Sequence, residues 1–196
     1  MKRELYCFHK FGFCITFFTL VFIVESCGKK TIKKEDNTEY GIASPQYAVL
    51  TEKSLDQLTS FEFERWGTSL SDSVEYYFPD GDLNTRTELK GKPAVLAWWK
   101  NYKKTSGLQS MSVESANYIP LNVTKKPKDG SKSGNYVIAY FSNKMVYNGN
   151  GVALRMNFIF HFDKDKLIDQ ISAFYDRTPI IAASGKNYLE NRKKDK

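Results

Sequence analysis

The strongest constraint on the fold is a long region, residues 111–175, in which apolar and polar residues alternate. A period of two predicts β-strands that bury one face. A polar loop at 125–134, an Asn-Gly turn sequence at 148–151 and a short Asp-Lys-Asp turn at 163–165 interrupt the alternation. The region therefore predicts an antiparallel meander of four strands, at 111–123, 136–147, 152–162 and 167–175.

Helical spacing dominates the part of the domain before this region. Apolar residues after Pro45 recur every three to five positions, which indicates one or two amphipathic helices, and a single strand is expected at 73–78. A further helix should begin near Pro93, since the missing N–H of proline costs nothing in a first turn, and should bury Trp98. Helices followed by a run of strands predict an α+β fold, with the helices packed on one face of a curved, mostly antiparallel sheet.

The first 26 residues predict an export signal that is removed from the mature protein. Lys2 and Arg3 precede an uncharged apolar stretch at 11–24. As a helix this stretch would reach only about 21 Å, short of the roughly 30 Å hydrocarbon core of a membrane. A cleaved signal therefore fits better than a membrane-spanning helix.

The apolar stretch ends in a sequence that resembles the lipobox of bacterial lipoproteins, in which a small residue precedes a cysteine that becomes lipidated. Ser26 and Cys27 match that pattern, whereas Glu25 departs from it, because a small neutral residue is usual there. Cys27 would also be the only cysteine left after cleavage, and an odd cysteine in an exported protein needs a role. We expect lipid on Cys27 to anchor the protein in the bacterial cell envelope, facing the periplasm or the outer surface. The alternative is an ordinary signal peptide that leaves Cys27 free.

These features divide the chain into a signal peptide (1–26), a lipidated cysteine with a flexible tether (27–44), a folded domain (45–183) and a basic tail (184–196). Much of the formal net charge of +7 lies in the tether and the tail, where charge runs are usually solvated. Nucleic-acid binding is not expected, because it would need basic residues clustered on a folded face. Attraction of the basic tether to anionic lipid headgroups fits better.

The domain contains short motifs at Phe63-Glu64-Arg65-Trp66, at 72–81, at Gly91-Lys92-Pro93-Ala94-Val95 before Trp98-Trp99, and at Asp165-Lys166-Leu167 before Phe174-Tyr175-Asp176. With the order of elements, they resemble the NTF2-like superfamily over residues 46–177, which includes SnoaL-like polyketide cyclases and ketosteroid isomerases. With the lipobox, the chain is similar to lipoproteins of Bacteroidetes-type bacteria. The resemblance implies a cone whose sheet wraps around a long helix and encloses a cavity for a small molecule. It implies a fold rather than a function, because the superfamily holds enzymes, carriers and partner-binding modules.

The resemblance also implies where catalytic groups would lie. In the isomerases, the base directly precedes the proline of the first-strand turn and a second acid lies late in the sheet. These positions hold Phe78 and, by approximate alignment, Phe158. Phenylalanine cannot transfer a proton, so we predict no catalytic residue. The alternative is an enzyme with a rearranged site that uses Tyr76 with Asp80 or Asp176.

Metal and cofactor sites are not expected. His161 is the only histidine after the signal peptide, so no site with two histidines can form, and we expect it on the surface of the sheet. Residues 80–84 resemble the start of a calcium loop. A full loop needs glycine at the sixth place and glutamate at the twelfth, and these places hold Thr85 and Gly91.

The inward-facing aromatic residues are the main functional signal. We predict that a small apolar or aromatic ligand binds among them without catalysis, oriented by Tyr76 and Gln170. The alternatives are a SnoaL-like enzyme of the isomerase, cyclase or hydrolase type, and a structural or protein-interaction lipoprotein with a filled cavity. The predicted pocket-lining residues are Tyr76, Phe78, Trp98, Leu154, Met156, Phe158, Gln170 and Phe174. The resemblance implies a homodimer interface on the opposite sheet face, which would carry Arg155, Asn157, Ile159 and His161.

Overall fold

The computed structural model describes residues 39–82, 85–127 and 131–189. The predicted signal peptide, Cys27, most of the tether and residues 190–196 of the tail lie outside the described residues. No described helix is long and apolar enough to cross a membrane. The described chain forms, in order, β1 (Tyr40–Ile42), α1 (Gln46–Thr59), α2 (Phe63–Gly67), β2 (Leu70–Tyr77), β3 (Glu88–Lys90), α3 (Lys92–Thr105), β4 (Leu108–Val123), β5 (Gly134–Tyr147), β6 (Asn150–Phe162), β7 (Ile168–Phe174) and α4 (Thr178–Ser184).

The strands form one sheet in the order β1-β4-β5-β6-β7-β2-β3. Neighbouring strands are antiparallel, except for the parallel pair of β2 and β7. The predicted meander corresponds to β4 through β7, and α1 and α2 are the helices expected after Pro45. The predicted α+β class with a mostly antiparallel sheet is confirmed.

A bulge in the middle of β4 bends the sheet. The pairing of β4 with β5 shifts register between Glu114 and Asn117, and Ser115 adopts a left-handed conformation with a φ of 50°. An extra residue in one strand bends that strand and increases its twist. The sheet therefore curves around α1 and α3, which pack against it.

The inner face of the sheet carries the core. Trp66 on α2 is buried, donates a hydrogen bond from Nε1 to the Ser54 hydroxyl at 3.0 Å, and meets the Trp99 ring edge to face. Val74 on β2 and Val95 on α3 are both fully buried. Fully burying one large apolar side chain stabilises a fold by about 1.5–3 kcal/mol. These contacts therefore fix the three helices against the sheet.

The folded domain is longer than the predicted range of 45–183. Tyr40 and Ile42 pair with Val123 and Leu121 at the edge of the sheet, and Leu189 is only 5% exposed. The sequence-based limits were wrong at both ends because they relied on polar composition. Backbone hydrogen bonds hold β1 in place, and Leu189 is a single apolar residue next to a basic tail.

Candidate ligand-binding cavity

A cavity of about 60 Å³ lies on the inner face of the sheet, between α1, α3 and the chain that follows β7. Alternate residues of a strand point to the same face, so β5 and β6 supply much of the lining. The apolar and aromatic lining residues are Leu55, Leu58, Phe78, Trp98, Trp99, Tyr102, Met111, Phe141, Met145, Tyr147, Met156, Phe158, Tyr175, Ile180, Ile181, Tyr188 and Leu189. The polar and charged lining residues are Thr59, Asn143, Arg177, Lys186 and Asn187.

Aromatic rings form two walls of the cavity. Trp98 and Tyr102 lie one turn apart on α3, and their rings are parallel within 9° with centroids 4.9 Å apart. Phe78 follows β2 and its ring centroid lies 4.6 Å from that of Trp98. On the sheet, Phe141 and Phe158 meet edge to face at 5.3 Å. Such walls favour an apolar or flat occupant.

Two tyrosine hydroxyls meet beside these walls. The hydroxyl oxygens of Tyr102 and Tyr147 lie 2.8 Å apart, and that of Tyr147 also lies 3.4 Å from the Met145 sulfur. Burial raises the pKa of Tyr147 to about 12, and it raises the pKa of Tyr102 further. Both hydroxyls are therefore protonated at neutral pH, where they can donate or accept hydrogen bonds.

Among the described residues that line the cavity, two buried polar atoms have no hydrogen-bond partner. Asn143 is 6% exposed, and its amide nitrogen lies 3.6 Å from the Met156 sulfur, a weak acceptor, while its Oδ1 has no partner. The indole Nε1 of Trp99 is likewise buried without a partner. Unpaired buried polar groups are rare in native proteins. An occupant that reaches these two atoms would find one acceptor and one donor.

Positive charge lies on the side of the cavity formed by the chain after β7. Arg177 donates a hydrogen bond from Nη1 to the Asn187 amide oxygen at 3.3 Å, and the Lys186 ammonium lies 5.2 Å from the centre of the Tyr188 ring. Lys186, Asn187 and Tyr188 also line a neighbouring cleft of about 270 Å³, together with the C-terminal half of α3. A molecule bound beside Lys186 could therefore contact both the cavity and the neighbouring cleft.

Four of the predicted lining residues are placed in the cavity, namely Phe78, Trp98, Met156 and Phe158. Tyr76 and Leu154 face inward but do not line it. Tyr76 is fully buried behind Phe78, with ring centroids 4.8 Å apart, and its hydroxyl has no partner. Leu154 is half-buried against the core.

Gln170 and Phe174 were predicted to line the cavity and instead lie on the outer face of the sheet. The pairing of β6 with β7 shifts register so that Asp169 is an extra residue between Ile168 and Gln170. Since side chains alternate with a period of two, one extra residue exchanges the faces that follow it. Ile168, Ile171 and Ala173 are consequently buried inside, whereas Phe174 is 44% exposed.

The two carboxylates that were considered for a rearranged catalytic site, Asp80 and Asp176, accept hydrogen bonds from nearby threonines. Asp80 accepts hydrogen bonds from the N–H and hydroxyl of Thr87 at 2.7 and 2.6 Å, and Asp176 accepts one from the N–H of Thr178 at 2.9 Å. Neither is hydrogen-bonded to Tyr76. No Asp, Glu or His is found among the described residues that line the cavity, and no described cluster could ligate a metal ion.

His161 lies on the outer face, yet it is 5% exposed rather than at the surface as expected. Its Nδ1 contacts the carboxylate of Asp169, its Nε2 lies 3.0 Å from the Ser133 carbonyl oxygen, and the Tyr136 ring covers it. Burial raises the pKa of Asp169, but hydrogen bonds from His161 and Lys132 outweigh burial and hold that pKa below its usual value. The bulge at Asp169 explains this burial, because it brings the carboxylate beside the ring.

Sequence reasoning missed the contribution of the chain after β7. This chain supplies Arg177, Ile180, Ile181 and residues 186–189 to the lining. The apolar pairs Ile180-Ile181 and Tyr188-Leu189 are the signal that could have indicated burial beyond the last strand.

Comparison with solved structures confirms the NTF2-like fold. An NTF2-like protein of unknown function from Burkholderia pseudomallei aligns with a TM-score of 0.56 and 13% identity, covering 71% of this chain and 98% of that one. A provisionally assigned polyketide cyclase from Xanthomonas campestris gives 0.54 and 13%, covering 71% and 96%. An LEH-like epoxide hydrolase from M. tuberculosis gives 0.50 and 14%, covering 71% and 90%. At these identities the similarity concerns the fold alone. No protein-family model and no curated protein matches the sequence.

Proposed function

We propose that this chain, whose domain has the NTF2-like fold, binds a small apolar or aromatic ligand in the cavity without catalysing a reaction. One observation carries the proposal: the lining is aromatic, and the described residues that form it include no carboxylate and no imidazole. General acid–base catalysis uses groups of this kind with pKa values near the working pH. The hydroxyls of Tyr102 and Tyr147 are protonated at neutral pH and can orient a ligand.

The size of the cavity limits how a ligand enters. A volume of about 60 Å³ holds a few water molecules, whereas an engineered dry cavity that binds benzene measures about 150 Å³. Binding therefore requires the cavity to enlarge, and we propose that it does so by an outward movement of the chain at α4. This movement is inexpensive at α4, which contributes no buried residue. The small volume also supports a second candidate function, a structural or protein-interaction module with a filled cone.

The first test is native mass spectrometry of a chain that begins at Gly28, compared with the same sample after denaturation. We expect extra mass that is lost on denaturation, and its value would give the mass of the ligand. Protein without extra mass, and with no binding of small aromatic compounds, would favour the filled cone. Turnover of a substrate that one cavity substitution abolishes would contradict the non-catalytic part of the proposal.

We also propose that lipid on Cys27 anchors the protein in the cell envelope. The support is the sequence: a charged start, an apolar stretch and a single cysteine after the cleavage point. Two or more acyl chains would give stable anchoring. Metabolic labelling with an alkyne analogue of palmitate should label the wild type and not Cys27→Ala. An unlabelled wild type would contradict the proposal.

The outer face of the sheet is the proposed homodimer interface. Ile119, Ile138 and Ile159 are side by side across β4, β5 and β6. Tyr140 and Phe174 lie in the next row and are 42% and 44% exposed. Contiguous exposed apolar residues mark interaction surfaces. Sedimentation velocity should show a dimer that Ile159→Asp converts to a monomer; a monomeric wild type would contradict this proposal.

A further inference from the structure

We infer that the ligand of this cavity is an organic anion with a hydrogen-bond donor on its apolar body. The body lies between the aromatic walls, the negative end lies at Arg177 and Lys186, and the donor meets Oδ1 of Asn143. This inference rests on the proposed function and adds the chemical class of the ligand.

The charged side chains among the described residues that line the cavity have one sign. Arg177 and Lys186 are the charged side chains among the described lining residues, and both are cations. Neither side chain takes part in an ion pair in the described part of the chain, and Arg177 donates a hydrogen bond to the neutral amide of Asn187. Two cations on one side of an apolar space produce a positive potential that attracts anions and repels cations.

The buried amide of Asn143 specifies the second feature. Its Oδ1 is buried and has no hydrogen-bond partner in the described part of the chain, and the residue is 6% exposed. Leaving a buried acceptor unpaired is costly, so a ligand that supplies an O–H or N–H recovers that free energy. A purely hydrocarbon ligand would leave the carbonyl unpaired.

The position of Lys186 allows the ligand charge to keep part of its hydration. Lys186 lines both the cavity and the cleft of about 270 Å³ beside α3. An isolated charge inside the aromatic walls would lose its hydration at high cost. A carboxylate in the cleft can contact the ammonium and remain wet. The aromatic walls alone would also suit a cation, but Arg177 and Lys186 oppose one.

The test uses three related probes with the purified protein: 3-(4-hydroxyphenyl)propanoate, its methyl ester, and 3-phenylpropanoate. Calorimetry at low ionic strength should show the hydroxylated acid binding about tenfold more tightly than its ester. A factor of this size corresponds to the free energy of one hydrogen bond that involves a charged group. The advantage should shrink at about 0.5 M salt, where charges at the surface are screened. The affinity advantage of the acid over the ester should disappear in the double variant that carries both Arg177→Gln and Lys186→Gln.

Two further variants separate the contributions. In Asn143→Leu, the hydroxylated acid and 3-phenylpropanoate should bind equally, whereas in the wild type the hydroxylated acid binds more tightly. Lys164→Gln is the control, because it removes one positive charge at the exposed turn between β6 and β7. It should change neither the preference for the acid over the ester nor the preference for the hydroxylated acid over 3-phenylpropanoate. An ester that binds as tightly as the acid would overturn the anion inference and leave the proposed function standing. Failure of all three probes to bind at millimolar concentration would overturn both.

Discussion

The hydroxyl oxygens of Tyr102 on α3 and Tyr147 at the end of β5 lie 2.8 Å apart inside the domain, at the edge of the candidate cavity. This contact joins the helix to the sheet where the chain after β7 also packs, because the Tyr188 ring meets Tyr102 edge to face at 5.1 Å. The pair is therefore structural, and it is also close enough to a ligand to orient it.

Burial of this pair should make the protein sensitive to alkaline pH. Burial raises the pKa of Tyr147 from 10.0 to about 12, so the folded state holds its proton more tightly than the unfolded chain does. The contribution to stability is complete below pH 10 and is lost as pH rises through about 12. Denaturant titrations from pH 8 upward should show this loss, and Tyr147→Phe should reduce it. A spectroscopic titration in which every tyrosine ionises together near pH 10 would contradict the prediction.

Asn143→Leu should stabilise the ligand-free protein. The substitution removes an unpaired buried carbonyl and keeps a side chain of similar size, so the free energy of unfolding should rise by about 1 kcal/mol. The melting temperature should rise by about 2–4 °C. Asn135→Leu is the control, because that amide accepts from Asn122 and donates to Tyr47, both at 2.9 Å, and its loss should destabilise. Equal destabilisation by both variants would mean that Asn143 is already satisfied.

Phe158→Leu should enlarge the cavity and improve the binding of an aromatic probe such as indole. Phe160→Leu is the matched control, because Phe160 is buried on the same face of the same strand but does not line the cavity. Each substitution should destabilise the fold by on the order of 1 kcal/mol. Calorimetry should show tighter indole binding only for Phe158→Leu. The same increase in affinity in both variants would mean that indole binds outside the cavity.

Leu189→Ala should destabilise the domain although the residue adjoins the basic tail. Leu189 is 5% exposed and lines the cavity, so its truncation should lower the free energy of unfolding by about 2 kcal/mol. Val49→Ala, on a side chain that is 62% exposed, should change it by less than about 0.5 kcal/mol. Thermal unfolding measures both effects. No effect of Leu189→Ala would mean that the segment is detached in solution.

The sequence predicted the inward faces of β6 correctly and those of β7 incorrectly. In β6, inward and outward side chains alternate without interruption through Met156 and Phe158. Once one residue is correctly assigned to the inner face, the faces of its neighbours follow. In β7 the bulge at Asp169 breaks that rule, and Gln170 and Phe174 lie outside. No local signal marks this bulge, because it accompanies contacts of Asp169 with His161 on the neighbouring strand and with Lys132, which lies 37 residues away.

The sequence by itself determined the α+β class and the four-stranded meander, because these follow from local periodicity. Only the tertiary structure decided the size of the cavity, the cations on the side formed by the chain after β7 and the unpaired amide of Asn143. Each of these depends on contacts between segments far apart in the chain, above all the return of residues 186–189 to α3. Periodicity reports which face of an element is buried, but it carries no information about which distant segment covers that face.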